Sequence, residues 1–157
     1  TFEIPDPGGV IRKLNDAICT GGESEVFLTL FCGVLEPSGR LRYANGAHPY
    51  PILRRAGSGP ALLLETTGTV VGILPDQVYE EREVRLHSGD ILLLYTDGVT
   101  EADREGELFG TERVQALAQE WRGKHPQELA DALLRAVREF CGGHIRDDLA
   151  ILAIRRR

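Results

Sequence analysis

The stretch Ile91–Glu101, ILLLYTDGVTE, constrains the fold more than any other part of the chain. Its four consecutive large aliphatics, Ile91 to Leu94, read as a strand buried on both faces. That strand stops at an acid followed at once by glycine, Asp97-Gly98. A carboxylate at the end of a core strand, ahead of a turn that glycine makes easily, is held rigidly and faces a cleft. Metal ligands and catalytic acids are presented in this way. A plain Asp-Gly turn is the competing reading, and a second acidic pair, Asp147-Asp148, bears on the choice.

The rest of the chain supplies a single-domain context. Its 157 residues suffice to bury a sizeable core. With 18 basic against 24 acidic side chains the net charge is −6, which argues against nucleic acid as a general partner. The one basic run, Arg155-Arg156-Arg157, reads as a solvated tail. No apolar stretch approaches the roughly 18 residues that a membrane span needs, and the first residues do not read as a signal segment. Cys19, Cys32 and Cys141 are odd in number and widely spaced. They fit free thiols in a reducing compartment, the cytoplasm, better than disulfides or a zinc site.

Taken in order, Asp6-Pro7 followed by Val10, Ile11, Leu14 and Ile18 predicts a helix over about 7–19, ended by Gly21-Gly22. Residues 26–35, VFLTLFCGVL, read as a central strand that Pro37-Ser38-Gly39 turns into a second at 40–45. Further strands are expected at about 51–55 and 61–65, then a glycine-punctuated apolar loop at 68–75 and a charged edge strand at 79–86. After the 91–96 strand, the polar stretch 101–110 suggests a short flap. Thr111 is the expected cap of a helix with Val114, Leu117, Ala118 and Trp121 on its apolar face. Pro126 opens another, carrying Leu129, Leu133, Ala136, Val137 and Phe140 and closed by Gly142-Gly143. A last apolar strand follows Asp147-Asp148. Strands followed by helices, without alternating βαβ units, indicate an α+β fold with antiparallel sheet.

Asp97 ends one apolar strand and Asp147-Asp148 begins another. If the two strands pair antiparallel, the acids meet at one sheet edge. Clustered carboxylates repel, and a hard divalent cation, Mg²⁺ or Mn²⁺, relieves that repulsion. The plainer reading is that Asp147-Asp148 solvates a helix–strand turn. His48 could act as a general acid or base, against a loop histidine fixed by backbone hydrogen bonds. For His144 the choice lies between a group supporting the acids and simple exposure, while His87 and His125 look like turn and helix-start residues. There is no G-x-S-x-G elbow and no P-loop, and no base lies near Cys19 or Cys32 in the sequence, so nucleophilic catalysis has little support.

The succession FLTLFCGVLEPSGRLRYANGAHPYPIL (27–53), VGILP (71–75), GDILLLYTDGVTEA (89–102), ELFG (107–110) and RDDLAIL (146–152) closely resembles the SpoIIE-type PPM phosphatases. These are bacterial metal-dependent serine/threonine phosphatases of the PP2C-like superfamily, and the resemblance covers essentially the whole chain. It implies an α-β-β-α sandwich whose metal cleft lies at one edge of two mainly antiparallel sheets. Two Mn²⁺ or Mg²⁺ ions there would activate a water for direct attack on phosphoserine or phosphothreonine. By that resemblance Asp97 and Asp147 match metal ligands, with Gly98 and Asp148 as near neighbours. The implied partners are a phosphoprotein substrate such as a phosphorylated anti-sigma-factor antagonist, an upstream regulatory or sensor domain acting through the helix at 7–19, and a second copy in a homodimer.

Two departures accompany the resemblance. The family's earlier metal motif, Asp-x-x-Gly-His-Gly, has no match, so the chain reads as the C-terminal two-thirds to three-quarters of such a domain. Where the family has Ala-Gly-His, this chain has Gly46-Ala47-His48. An inactive scaffold binding a partner through the same surface therefore stays open, as does a hydrolase of small phosphoesters.

Overall fold

The computed structural model describes residues 5–21, 26–121 and 125–157. Along them run α1 (Pro7–Thr20), β1 (Leu30–Leu35), β2 (Arg40–Gly46), β3 (Ile52–Arg54), β4 (Leu62–Leu63), β5 (Arg82–Arg85) and β6 (Ile91–Tyr95). There follow α2 (Asp97–Thr100), β7 (Asp103–Arg104), β8 (Glu107–Leu108), α3 (Gly110–Glu120), α4 (Pro126–Phe140) and β9 (Ile151–Arg155). The fold is α+β, and its elements divide into two compact units. One holds the described residues up to His48 with Glu65–Arg85, the other Pro49–Leu64 with Leu86–Arg157.

In the first unit α1 begins as its sequence predicts. The Asp6 carboxylate accepts the Gly8 N–H at 3.1 Å, with Pro7 in the first turn. Gly21 caps the other end through the Ala17 and Ile18 carbonyls, while Gly22 lies outside the described residues. Ile11 is fully buried against Ala44, Val71 and Tyr79. Val10 and Leu14, expected on that same face, are instead 40% and 36% exposed. Asn15 takes the interior position. Its Oδ1 accepts the Gly72 N–H at 2.9 Å and the Tyr79 hydroxyl at 3.2 Å, and its amide donates to the Leu74 carbonyl at 2.9 Å. A satisfied polar side chain thus anchors the 68–75 loop to the helix.

The three-stranded sheet has the order β1-β2-β5, antiparallel throughout. Residues 26–35, expected as one central strand, yield a strand only from Leu30, and β1 ends this order. Leu28 is diverted. It exchanges backbone hydrogen bonds with Val71, 2.9 Å each way, as an isolated bridge. At the other end β5 is the charged edge strand expected from 79–86, with Arg40–Glu83 at 2.7 Å and Arg82–Glu65 at 3.3 Å. Exposed pairs of this kind contribute about 0–1 kcal/mol each.

The second unit is built on a four-stranded antiparallel sheet, β4-β3-β6-β9. As its apolar run predicts, β6 lies inside the sheet, paired with β3 on one side and β9 on the other. Ile52, Ile91, Leu93 and Tyr95 pack with Val114 and Ala118 of α3 and Leu129, Leu133 and Val137 of α4. Thr111 is not the cap of α3. The helix starts at Gly110, and the residue at its cap position is the buried Phe109, which offers no capping side chain. The expected flap is the β7–β8 hairpin, and it is fastened down. Arg104 and Arg113 stand over the Phe140 ring at 4.5 and 4.8 Å, and Glu107 accepts hydrogen bonds from both. Those two guanidiniums hold the Glu107 carboxyl below its usual range.

Asp90, 2% exposed, fixes the entry to β6. It accepts from the Arg55 guanidinium at 2.7 Å, the His87 N–H at 2.8 Å and the Ala56 N–H at 2.9 Å. Burial pushes its carboxyl up, but the amides of His87 and Ala56 and the Arg55 guanidinium outweigh burial and hold it below the ordinary carboxylate value. Asp90→Asn is expected to lower stability by about 1–3 kcal/mol at pH 7. A depressed folded-state pKa stabilises above the unfolded value of about 3.9 and ceases to do so as pH falls through the folded one. Urea melts at pH 7 and pH 3 test this: the gap between wild type and Asp90→Asn should narrow at the lower pH, and equal midpoints at pH 7 would contradict it.

Candidate functional site

The antiparallel register that brings the acids together is present. Tyr95, the last residue of β6, pairs with Ile151, the first of β9. Thr96 extends the contact beyond the ladder: its N–H donates to the Ala150 carbonyl at 3.1 Å. Its hydroxyl accepts the Ala150 N–H at 2.9 Å and donates to the Asp148 carbonyl at 3.2 Å. One threonine side chain therefore ties the segment before Asp97 to the segment after Asp147. Sequence reasoning passed over Thr96, whose signal was its place between an apolar strand and an acid.

Asp97 is the first residue of α2, a single helical turn, where the sequence suggested a glycine turn. Gly98 is buried, and its φ lies outside the left-handed region. Glycine is required there for a different reason. An added Cβ would stand well inside van der Waals distance of the Asp148 carbonyl oxygen and 3.1 Å from its carbon. Close approach of two backbones, not a positive φ, excludes a side chain at this point.

The two acids are held alike. Asp97 Oδ1 accepts the N–H of its own neighbour Gly98 at 3.1 Å, and Asp147 Oδ1 accepts the Asp148 N–H at 2.7 Å. Asp97 is half-buried, while Asp147 and Asp148 are exposed. Among the described residues none of the three forms an ion pair. Carboxylate oxygens without a protein cation suit a hard divalent ion. The donors at Asp97 and Asp147 are right in kind for such an ion. Among the described residues no group of three or more His, Cys, Asp or Glu is arranged to hold a metal.

Of the histidines, His48 takes a structural place. His48 N–H donates to Asn45 Oδ1 at 2.8 Å, the Asn45 amide donates to the His48 carbonyl at 3.1 Å, and the ring Nδ1 lies 3.1 Å from the Thr29 hydroxyl. It is a loop histidine fixed by hydrogen bonds. Just before it, Ala47 adopts φ 55°, and a Cβ on Gly46 would meet Val71 Cγ2 at 2.8 Å. The exchanged Gly-Ala order thus leaves the alanine in a left-handed conformation that costs about 1–2 kcal/mol. His144 is exposed, His87 flanks Asp90 at 3.7 Å, and His125 precedes α4. All three cysteines are free thiols, and burial pushes that of Cys32 up. Among the described residues no helix is long and apolar enough to cross a membrane.

Residues 2–157 match the family model described as Stage II sporulation protein E (SpoIIE). Protein IcfG of Synechocystis is 32% identical over 151 residues, 93% of this chain and 23% of that protein. Phosphoserine phosphatase RsbU of Bacillus subtilis is 24% identical over 152 residues, 96% of this chain and 45% of that protein. The chain spans less than half the length of these curated relatives. Among solved structures, the SiaA-PP2C domain of Pseudomonas aeruginosa superposes with a TM-score of 0.80 at 22% identity, over 97% of this chain and 60% of that one. The PP2C phosphatase domain of SpoIIE from Bacillus subtilis, with a fragment of its regulatory domain, gives 0.77 at 20% identity, over 96% of this chain and 44% of that one. The fold is thus PP2C-like.

Gly98→Ala is expected to destabilise the second unit by about 1–3 kcal/mol, the usual cost of forcing a group into a filled space. The strain should fall where Gly98 meets Asp148, so hydrogen exchange at the Thr96 and Ala150 amides should speed up. Unchanged exchange there would show that the close approach is not maintained in solution.

Proposed function

The chain belongs to the SpoIIE family, of PP2C-like phosphatase fold, and from that premise we propose that it is a metal-dependent protein phosphatase acting on phosphoserine or phosphothreonine. The observation that carries the reading is the juncture of β6 and β9, where Asp97 and Asp147 leave adjacent strand ends with one oxygen each turned to a local amide. Both would hold Mn²⁺ or Mg²⁺, two ions in all, with further donors completing the set. When bound, such ions lower the pKa of a coordinated water and neutralise charge on phosphoryl oxygens.

The protein's own groups then have definite tasks. Asp97 is oriented by α2 and the Gly98 amide, and Asp147 by the Asp148 amide, so one oxygen of each carboxylate is already held before a cation arrives. Thr96 holds the two segments in register. Gly98 lets them approach, and Asp148 contributes the carbonyl they close on. The substrate class is a phosphorylated protein side chain, with a phosphorylated anti-sigma-factor antagonist as the particular candidate and an upstream regulatory or sensor domain as the controlling partner. A homodimer and a cytoplasmic location complete the reading.

A second reading, an inactive scaffold with the same fold, draws on the described residues, among which no group of three or more His, Cys, Asp or Glu is arranged to hold a metal ion. Phosphate release from a phosphoserine protein separates the two. In the natural full-length protein, release should require Mn²⁺ or Mg²⁺, stop in excess chelator, and fall by at least about a hundredfold in Asp97→Asn. Full activity in Asp97→Asn or in chelator would overturn the phosphatase reading. No release under any condition, with no Mn²⁺ bound in calorimetry, would favour the scaffold.

A further inference from the structure

Beside the acid pair lies a groove of about 420 Å³, lined among others by Asp103, Arg104, Phe140, Cys141, His144 and Arg146. It is bounded by the β7–β8 hairpin, the end of α4 and the loop leading to Asp147. Its two arginines differ sharply. Arg104 is committed, hydrogen-bonded to Glu107 at 2.7 Å and stacked 4.5 Å over the Phe140 ring. Arg146 immediately precedes Asp147, its side chain is 79% exposed, and among the described residues its one ion pair is with Asp103, at 3.5 Å.

We propose that Arg146 is the phosphoryl-recognising side chain of this site, held on Asp103 of the hairpin until a phosphorylated side chain takes it. The inference rests on the phosphatase reading and adds the group that binds the substrate's anion. The contact is long at 3.5 Å and its arginine side is open to water, so Asp103 yields the guanidinium at little cost. A phosphoryl dianion offers more, because it accepts two parallel N–H bonds from the guanidinium fork. Position adds to this. A cation on the residue next to Asp147 is carried by the same backbone that presents the acid, so the two stay in fixed relation. Asp103, whose side chain is 18% exposed, engages the guanidinium, which forms no ion pair with Asp147 or Asp148. Without that restraint an arginine here would compete with a cation for the acids.

The test uses the natural full-length protein with Mn²⁺, a phosphoserine peptide for kinetics and inorganic phosphate for calorimetry. Arg146→Ala should raise KM and weaken phosphate binding about tenfold, with kcat changed much less, the pattern of a lost uniform binding interaction. Arg146→Lys should recover part of the loss, keeping the charge without the fork. Asp103→Asn, which removes the competitor, should leave KM unchanged or lower it. If the pair were only a tether for the hairpin, Asp103→Asn would raise KM as Arg146→Ala does, and that outcome overturns the proposal. So does Arg146→Ala with KM and phosphate affinity within about twofold of wild type. Should the wild-type protein release no phosphate while Arg146 still governs phosphate binding, the phosphatase reading falls and this inference stands.

Discussion

The antiparallel pairing of β6 with β9 is the interaction on which the rest of the site depends. Five register pairs, from Ile91↔Arg155 to Tyr95↔Ile151, decide where each strand ends. A slip of one residue would turn every side chain of β9 to the opposite face. It would also move Asp147 away from Asp97. Thr96 guards against that slip, because its hydroxyl is bonded to both Ala150 and Asp148 and fits only one register.

What holds the pairing is the hydrophobic layer behind it. Leu93 and Tyr95 of β6 pack, with Ile151 and Ala153 of β9, against α3 and α4, and Leu129, Leu133 and Val137 are fully buried. Burying a large aliphatic contributes about 1.5–3 kcal/mol. A few such residues outweigh the repulsion of carboxylates that are half-buried or exposed, where water screens them. The fold can thus keep like charges at one sheet end while no cation among the described residues is paired with them. The same economy shows at the hairpin: Arg104 and, from α3, Arg113 are engaged by Phe140 and Glu107, leaving Arg146 the less committed cation beside the acids.

Much of this was legible in the sequence because it follows from periodicity and local chemistry. The buried run 91–95, the Asp6-Pro7 helix start, the Pro126 helix and the charged edge strand all carry their signal in consecutive residues. That Asp97 and Asp147–Asp148 come to the same edge of the sheet was legible as a conditional, awaiting only the pairing. What escaped was non-local. Asn15 looks like an ordinary surface residue of an amphipathic helix, and only the backbone groups of Gly72 and Leu74 make its burial favourable. Leu28 belongs by composition to a strand, yet Val71 claims it. The reason for Gly98 was misread because a glycine required by a distant carbonyl looks the same in sequence as one required by a turn.

The most direct measurement is the broadening of backbone amide resonances by substoichiometric Mn²⁺, whose paramagnetism marks the residues nearest the ion. Broadening should centre on the amides of Gly98 and Asp148 and be lost in both Asp97→Asn and Asp147→Asn. Broadening centred elsewhere, or surviving both substitutions, would contradict a cation site at the β6–β9 juncture.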